Sequence, residues 1–365
     1  LTLADRLEGY ESSAKYPMTS NLTKDNHYVS QGYLKQWECT SGEIFVHLRL
    51  VSHENVPLWE KKTIKGIAYR EHLYTRQIAG SDNDEIERWF SREFETPAED
   101  AIQRVLNGDR IASEHWHKLV QFLAMHDVRT PARLLEYLES AADNTSKALA
   151  EILGKLPEEL AEMKRNGVAH PTPDAQKNLF PLRVTTEIKD GEKFGTLKAE
   201  TAVGRASWLW GMQHLLNNTA KVFHQHKWTI MHPAKGMTWF TTDKPVIRLN
   251  YYKPGNYDFK GGWGRTGGEI LFPLSPEHLL YTQIGSRPPA RGTRFSPEQT
   301  QLLRRLIAEH AHRYIFAKAE DPDIPAFVER TVNAEVYKHE QDQWNKWHAE
   351  QLESERYLFR DKEAV

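Results

Sequence analysis

Apolar residues along the chain follow two rhythms in turn. GEIFVHLRLV (42–51) alternates and is rich in branched and aromatic residues, the signature of a strand. KKTIKGIAYREHLYTRQ (61–77) is basic and predicts irregular to helical backbone. Helical spacing then takes over. Asp82 and Glu85 make a capping-box pattern ahead of Ile86, Trp89, Phe90 and Phe94, which share one face. Pro97 restarts a helix carrying Ile102, Val105 and Leu106, and Gly108 stops it. Ser113 caps a third helix with Trp116, Leu119, Val120 and Leu123 inward. Further helices are predicted at about 131–142 and 145–166. The last closes on Lys164, Arg165, Asn166 and Gly167, where the helix dipole favours cations.

One long helix is predicted across 197–222, and beyond it the pattern returns to strands. KWTIMH (227–232), the turn PAKG and MTWFTTDKPVIRL (237–249) predict a hairpin. EILFPL (269–274), HLLYTQI (278–284) and RYIFA (313–317) read as strands. SPEQTQLLRRLIAEH opens with a Ser cap and Pro at the first helical position. This order predicts an α+β fold, with a helix-rich N-terminal and central part packed on a mainly antiparallel sheet formed largely by the second half. The expected organisation is one domain over 20–318 and an acidic helical extension over 319–365, which carries 12 acidic and 6 basic residues.

Composition narrows the functional classes. The 365 residues are 39% hydrophobic and 27% charged, within the range of a globular chain. A net charge of −2 argues against a generic polyanion binder, which needs clustered cations. Cys39 is the single cysteine, which excludes a disulfide framework and a thiol-rich zinc site and fits a reducing cytoplasm. No segment reaches the roughly 18 apolar residues of a membrane span, and the first twenty residues lack a secretory pattern. A cytoplasmic protein with no membrane partner is the expectation.

The stretch DNHYVSQGYLKQWE (25–38) crowds a histidine, two glutamines and three aromatic rings together, as a packed local structure with polar tips would. HYVSQGYLKQW (27–37), IAYREHLYT (67–75), IERWF (86–90), FLAMHDVRTPAR (122–133), WFTTDKPV (239–246) and FPLSP (272–276) together resemble the DUF4238 family in wording and order, across roughly 25–317. Ser30 stands where that family usually has Pro, and TTDKP replaces its TSDNP. The resemblance implies a shared scaffold and names no reaction.

On a helical turn His27 and Gln31 share a face, His27 as a general base or ligand and Gln31 positioning substrate, with Tyr28 beside them as a candidate substrate contact that can also pack inward. The alternative makes His27 a local structural tie. Asp243, just before Pro245, is a candidate catalytic or metal-binding carboxylate, the alternative being an Asx-turn. Arg129 in DVRTP could clamp an anion bidentately or satisfy helix carbonyls. Together these residues make a candidate His–Asp–Arg site. No cofactor is specified, although a divalent metal is compatible with it. His224, His226 and His232 could approach one another on a strand, and Arg305/His310 and Arg110/His115 fit the R-x4-H spacing of HEPN-type ribonucleases.

YYKPGNYDFKGGWGRTGG (251–268) and SRPPARGTRF (286–295) interleave cations with rings, and the span from Asp243 to Phe295 holds eight basic and four acidic residues. Lys253, Lys260, Arg265 and Arg291 would meet phosphate, and Tyr257 and Trp263 would stack a base of single-stranded nucleic acid or a nucleotide. The absence of Walker, H-E-x-x-H and nucleophile-elbow motifs argues against the enzyme classes that use them. The leading expectation is a nucleic-acid- or nucleotide-directed hydrolase of toxin or phage-defence type. The rival is a non-enzymatic adaptor whose C-terminal helix docks a protein partner.

Overall fold

The computed structural model describes residues 22–78, 81–167, 180–187, 191 and 195–359. Residues 20 and 21, where the domain is expected to begin, and 360–365, at the end of the extension, lie outside these. In chain order the strands are β1 (Asp25–His27), β2 (Glu43–Leu48), β3 (Leu50–Val51), β4 (Trp59–Thr63), β5 (Tyr69–Glu71), β6 (Arg76–Ile78), β7 (Ser81–Asn83), β8 (Leu182–Glu187) and β9 (Thr196–Thr201). Then come β10 (Thr229–Met231), β11 (Thr241–Thr242), β12 (Ile247–Lys253), β13 (Asn256–Asp258), β14 (Glu269–Ser275), β15 (His278–Gln283), β16 (Tyr314–Ala317) and β17 (Thr331–Val332). The helices are α1 (Gln31–Leu34), α2 (Glu85–Phe90), α3 (Thr96–Leu106), α4 (Ser113–Val128), α5 (Pro131–Arg165), α6 (Arg205–Asn217), α7 (Pro297–His310), α8 (Ile324–Phe327) and α9 (Ala334–Phe359).

The fold is α+β, as its sequence order predicts. One antiparallel sheet runs β10-β15-β14-β12-β13, all from the second half. Another runs β11-β16-β2-β4 and draws on both halves. The sequence EILFPLS of β14 is apolar nearly throughout, which suits a strand covered on both faces. Successive side chains point to opposite faces. Ile270, Phe272 and Leu274 accordingly join the core that includes Ile102, Leu123 and Met212 of α3, α4 and α6. Leu271 joins the core with Leu303, Leu306 and Ile307 of α7. The larger sheet is therefore a middle layer between helices.

Several elements depart from expectation, each for a local reason. Residues 61–77 form strands and a 3-10 turn, because the cationic β4 lies at the outer edge of its sheet with Lys61 and Lys62 exposed. The helix at 85 is preceded by Asp84 instead of Asp82, and Asn83 Oδ1 takes the Glu85 N–H at 2.7 Å. Ala112, not Ser113, is the cap of α4, where the His115 ring accepts its N–H at 2.9 Å. The helices expected at 131–142 and 145–166 are the single α5, begun by a Thr130 cap. The 197–222 stretch divides into β9, α6 and a 3-10 segment. The predicted 227–249 hairpin does not form: β10 pairs with β15, and β11 pairs with β16 in the other sheet. Among the described residues, no helix is long and apolar enough to cross a membrane.

Candidate functional site

The 25–38 stretch is an interlock. Ser30 caps α1 with φ −65° and ψ 141°, a backbone that proline also fits, but its N–H donates to His126 Nε2 at 3.3 Å. That bond, with Nδ1 donating to the Phe122 carbonyl at 3.0 Å, fixes the tautomer of a fully buried neutral imidazole. Tyr33 Oη lies 2.6 Å from both Thr241 Oγ1 and the Pro273 carbonyl, and Trp37 Nε1 donates to the Trp239 carbonyl at 2.9 Å. The motif thereby pins strand segments some two hundred residues away.

His27, at the end of β1, stays half-buried beside Tyr69. Its Nε2 donates to the Lys65 carbonyl at 3.2 Å, which leaves Nδ1 to accept from the Gln31 amide at 3.4 Å. Burial lowers its pKa, against the Lys65 carbonyl, and the nearby Arg129 lowers it further. The ring is thus neutral near pH 7. Arg129 ends α4 with no exposed surface. Its Nε donates to the Tyr28 carbonyl at 3.1 Å, it pairs with Glu95 at 2.8 Å, and it lies over the Phe90 ring at 5.3 Å. An anion clamp needs an accessible guanidinium, so this arginine is an internal tie.

Sequence reasoning passed over Glu87, which completes this neighbourhood. Burial pushes its carboxyl up to about 7 against the attraction of Arg129, with Glu95 adding to the rise. Glu87 Oε2 is buried without a hydrogen-bond partner. The residue lies inside IERWF, but the apolar neighbours in that segment explain its burial without marking the acid.

Asp243 follows β11 and belongs to a second neighbourhood. Its two carboxylate oxygens accept the backbone N–H groups of His312 at 2.9 Å and Arg313 at 2.7 Å, while its own N–H donates to the Tyr314 carbonyl at 3.1 Å. Burial raises its pKa to about 6 although those amide donors oppose the rise. This carboxylate holds a backbone crossing, in the spirit of the Asx-turn alternative, with each oxygen engaged by a backbone amide. No hydrogen bond or ion pair joins any two of His27, Arg129 and Asp243. Tyr28 is a core residue and offers no face to a substrate, but it links their surroundings: its carbonyl takes Arg129, and its buried phenol is raised by burial and then by the charges of Tyr314 and Asp243.

The backbone that Asp243 holds forms a groove. Cavities of about 410 and 330 Å³ lie on either side, with Ala311 and His312 lining both. Arg49, Arg313 and Val336 line the first, and Lys244, Phe259 and Glu309 the second. Arg49 donates to the Glu309 carbonyl at 3.2 Å and to that of Ala311, at the end of α7. Burial holds the His312 imidazole at about 3, helped by Arg313 and Lys244. Lys244 pairs with Glu136.

The predicted basic loops divide. The β12–β13 hairpin reaches the groove through Phe259, and Tyr257 Oη donates to Glu309 Oε2 at 2.6 Å. Lys253, Lys260 and Arg265 are exposed on or beside it. Gly261 returns the chain onto β12 so closely that a Cβ there would sit 2.9 Å from the Arg248 backbone. Trp263 is only 9% exposed, packed 4.7 Å from Phe223 and donating to Asp127 Oδ2 at 2.6 Å, so it offers no face to a base. Arg291 lies elsewhere, on the Asp109 carbonyl at 2.7 Å.

The histidine patterns resolve into structural contacts. His224 stacks on His117, His226 meets the Trp263 carbonyl at 2.6 Å, and His232 meets that of Glu277 at 2.7 Å. His310 is buried against the Lys244 carbonyl at 3.0 Å, and His115 caps α4, so neither R-x4-H pair presents an open site.

A family model described as "Protein of unknown function (DUF4238)" matches residues 25–321. The chain belongs to the DUF4238 family. No curated protein and no solved structure matches it. The segments that carry the resemblance are those that interlock around Tyr28, Ser30, Tyr33 and Trp37. In this DUF4238 chain the matched span stops before α9, yet α9 is docked on the body. Glu340 pairs with Arg313 at 2.7 Å, Arg70 lies over Trp344 at 5.0 Å, and Glu355 grips the buried Arg205 through contacts of 3.0 and 2.8 Å.

Proposed function

We propose that this DUF4238 protein binds a phosphate-bearing ligand, a nucleotide or a single-stranded nucleic acid, in the cavity beside His312 that Arg49 and Arg313 line. The observation that carries this reading is the cation set at the groove. Arg49 and Arg313 line the first cavity, which no carboxylate lines, although Arg313 also pairs with Glu340, whereas Lys244 shares the second cavity with Glu136, Glu139 and Glu309.

His312 gives the reading a chemical signature. A bound phosphate favours the charged imidazole, so the pKa of about 3 rises in the complex. Binding is therefore accompanied by proton uptake and tightens as pH falls. A protonated His312 beside phosphate could serve as a general acid, which makes phosphodiester or nucleotide hydrolysis, of the toxin or phage-defence kind, the activity to assay first.

The experiment is a titration with nucleotides and with DNA and RNA oligonucleotides at about 50 and 200 mM salt, where several phosphate contacts would weaken affinity by orders of magnitude. Arg313→Gln and His312→Gln should each lower affinity, and His312→Gln should also flatten its pH dependence. Their melting temperatures separate lost contacts from lost folding. Absence of binding at low salt, or full affinity in both variants, would remove the reading and favour the adaptor.

A further inference from the structure

We propose that His72, Asp82 and His348 form a site for a divalent transition metal of zinc's class, which fastens α9 to the body of the protein. Among the described residues this is the only group of three or more His, Cys, Asp or Glu side chains arranged to hold a metal ion, with donor atoms all within 4.8 Å of one another. The three come from separate elements: His72 follows β5, Asp82 sits in β7 and His348 lies on α9. Asp82 Oδ2 lies 3.9 Å from His72 Nδ1 and 3.6 Å from His348 Nε2. Two imidazoles and one carboxylate suit zinc and its first-row neighbours.

The backbone and the surrounding groups support this assignment. His72 has φ +56°, a conformation that non-glycine residues rarely adopt, and its N–H is held by the Lys24 carbonyl at 2.8 Å. Thr75 Oγ1 stands 3.1 Å from His72 Nδ1 as a further oxygen.

Arg205 sets the conditions for binding. It donates through one nitrogen to His348 Nδ1 at 2.9 Å and to the His72 carbonyl at 3.2 Å, while its other nitrogens hold Glu355. In that arrangement the proton of His348 is on Nε2, facing Asp82. Coordination through Nε2 moves the proton to Nδ1 and costs the Arg205 contact there, while the carbonyl and Glu355 still hold the guanidinium. The two rings are stacked with centroids 3.8 Å apart and planes 10° from parallel, so one must tilt for both lone pairs to converge. Both costs place the affinity well below that of a rigid four-ligand structural site. Because Val336 of α9 lines the 410 Å³ cavity, a fastened α9 also fixes one wall of the groove.

The test uses the full chain, treated with EDTA and titrated with Zn²⁺ in competition with a chromophoric chelator. Asp82→Asn and His348→Phe run in parallel, the phenyl ring keeping a flat surface for His72 to stack on. One zinc per chain is expected, with melting raised by about 4 °C at a hundredfold excess over Kd. Zinc should also slow proteolysis within α9. Each variant should bind at least tenfold more weakly, and the melting temperature without zinc shows that it folds. No binding at about 100 μM Zn²⁺, at which a micromolar site would be filled, or equal binding by the variants would overturn the site. Zinc bound without protection of α9 would overturn the fastening.

Discussion

Asp243 provides a quantitative test of how burial and backbone hydrogen bonding compete. Its folded-state pKa is raised from 3.8 to about 6. The folded protein therefore binds this proton more tightly than the unfolded chain does. The associated stability is fully present below pH 3.8 and is lost as pH rises through about 6. The rise corresponds to about 3 kcal/mol, of which about 2 kcal/mol falls between pH 4.5 and 7.5. Asp243→Asn keeps the shape without the titration. It leaves one backbone N–H of His312 or Arg313 facing an amide NH₂, at a pH-independent cost of about 1–3 kcal/mol. Urea denaturation of both proteins across that range isolates Asp243, because other titrating groups cancel in the difference. Wild-type stability minus variant stability should fall by about 2 kcal/mol from pH 4.5 to 7.5. A flat or rising difference would refute the reasoning, because the two amide donors would then outweigh burial.

Other changes probe separate links in the fold. Glu355→Gln removes the carboxylate from the fully buried Arg205, and a loss of about 3–5 kcal/mol in chemical denaturation is expected, with faster proteolysis in α9. Ser30→Pro fits the existing φ of −65° but loses both the N–H to His126, worth about 1–3 kcal/mol, and the Oγ cap on the Tyr33 N–H, worth about 0.5–2 kcal/mol, against about 0.4–1 kcal/mol gained from reduced chain entropy. Its melting temperature should fall, and an unchanged value would show that neither bond contributes. Gly261→Ala places a methyl 2.9 Å from the Arg248 backbone, so melting should drop by the equivalent of about 1–3 kcal/mol, with altered packing of the 259–263 loop by NMR.

The elements legible in the sequence are those whose pattern and burial agree. The hairpin of β14 and β15 shows unbroken apolar runs, and α7 carries its own Ser-Pro start. The strands at 59–63 and 196–201 were hidden because they are rich in polar residues and have no buried position, so their composition gives no sign of a sheet. The site was legible in part. His27, Gln31 and Arg129 do share a neighbourhood, but that Arg129 faces inward depends on Glu95 and the Tyr28 carbonyl, contacts made across turns. Asp243 was readable as a turn carboxylate, whereas the amides it binds lie about seventy residues later and have no side-chain signature. Trp263 shows the limit of composition: Gly, Lys and aromatic residues suggested an open surface, and only the fold reveals Asp127 behind the indole.

The docking of α9 bears on where this protein can be cut. A fragment trimmed to residues 25–321, the span by which it is classified, would strand Arg205 without its counter-ion and uncover the ring face of the body that meets Trp344 and Trp347. Such a fragment should express poorly or cling to other surfaces, and a failed assay on it would say little about the native molecule. The unit of descent and the unit of folding have different ends here, and expression boundaries should follow the second.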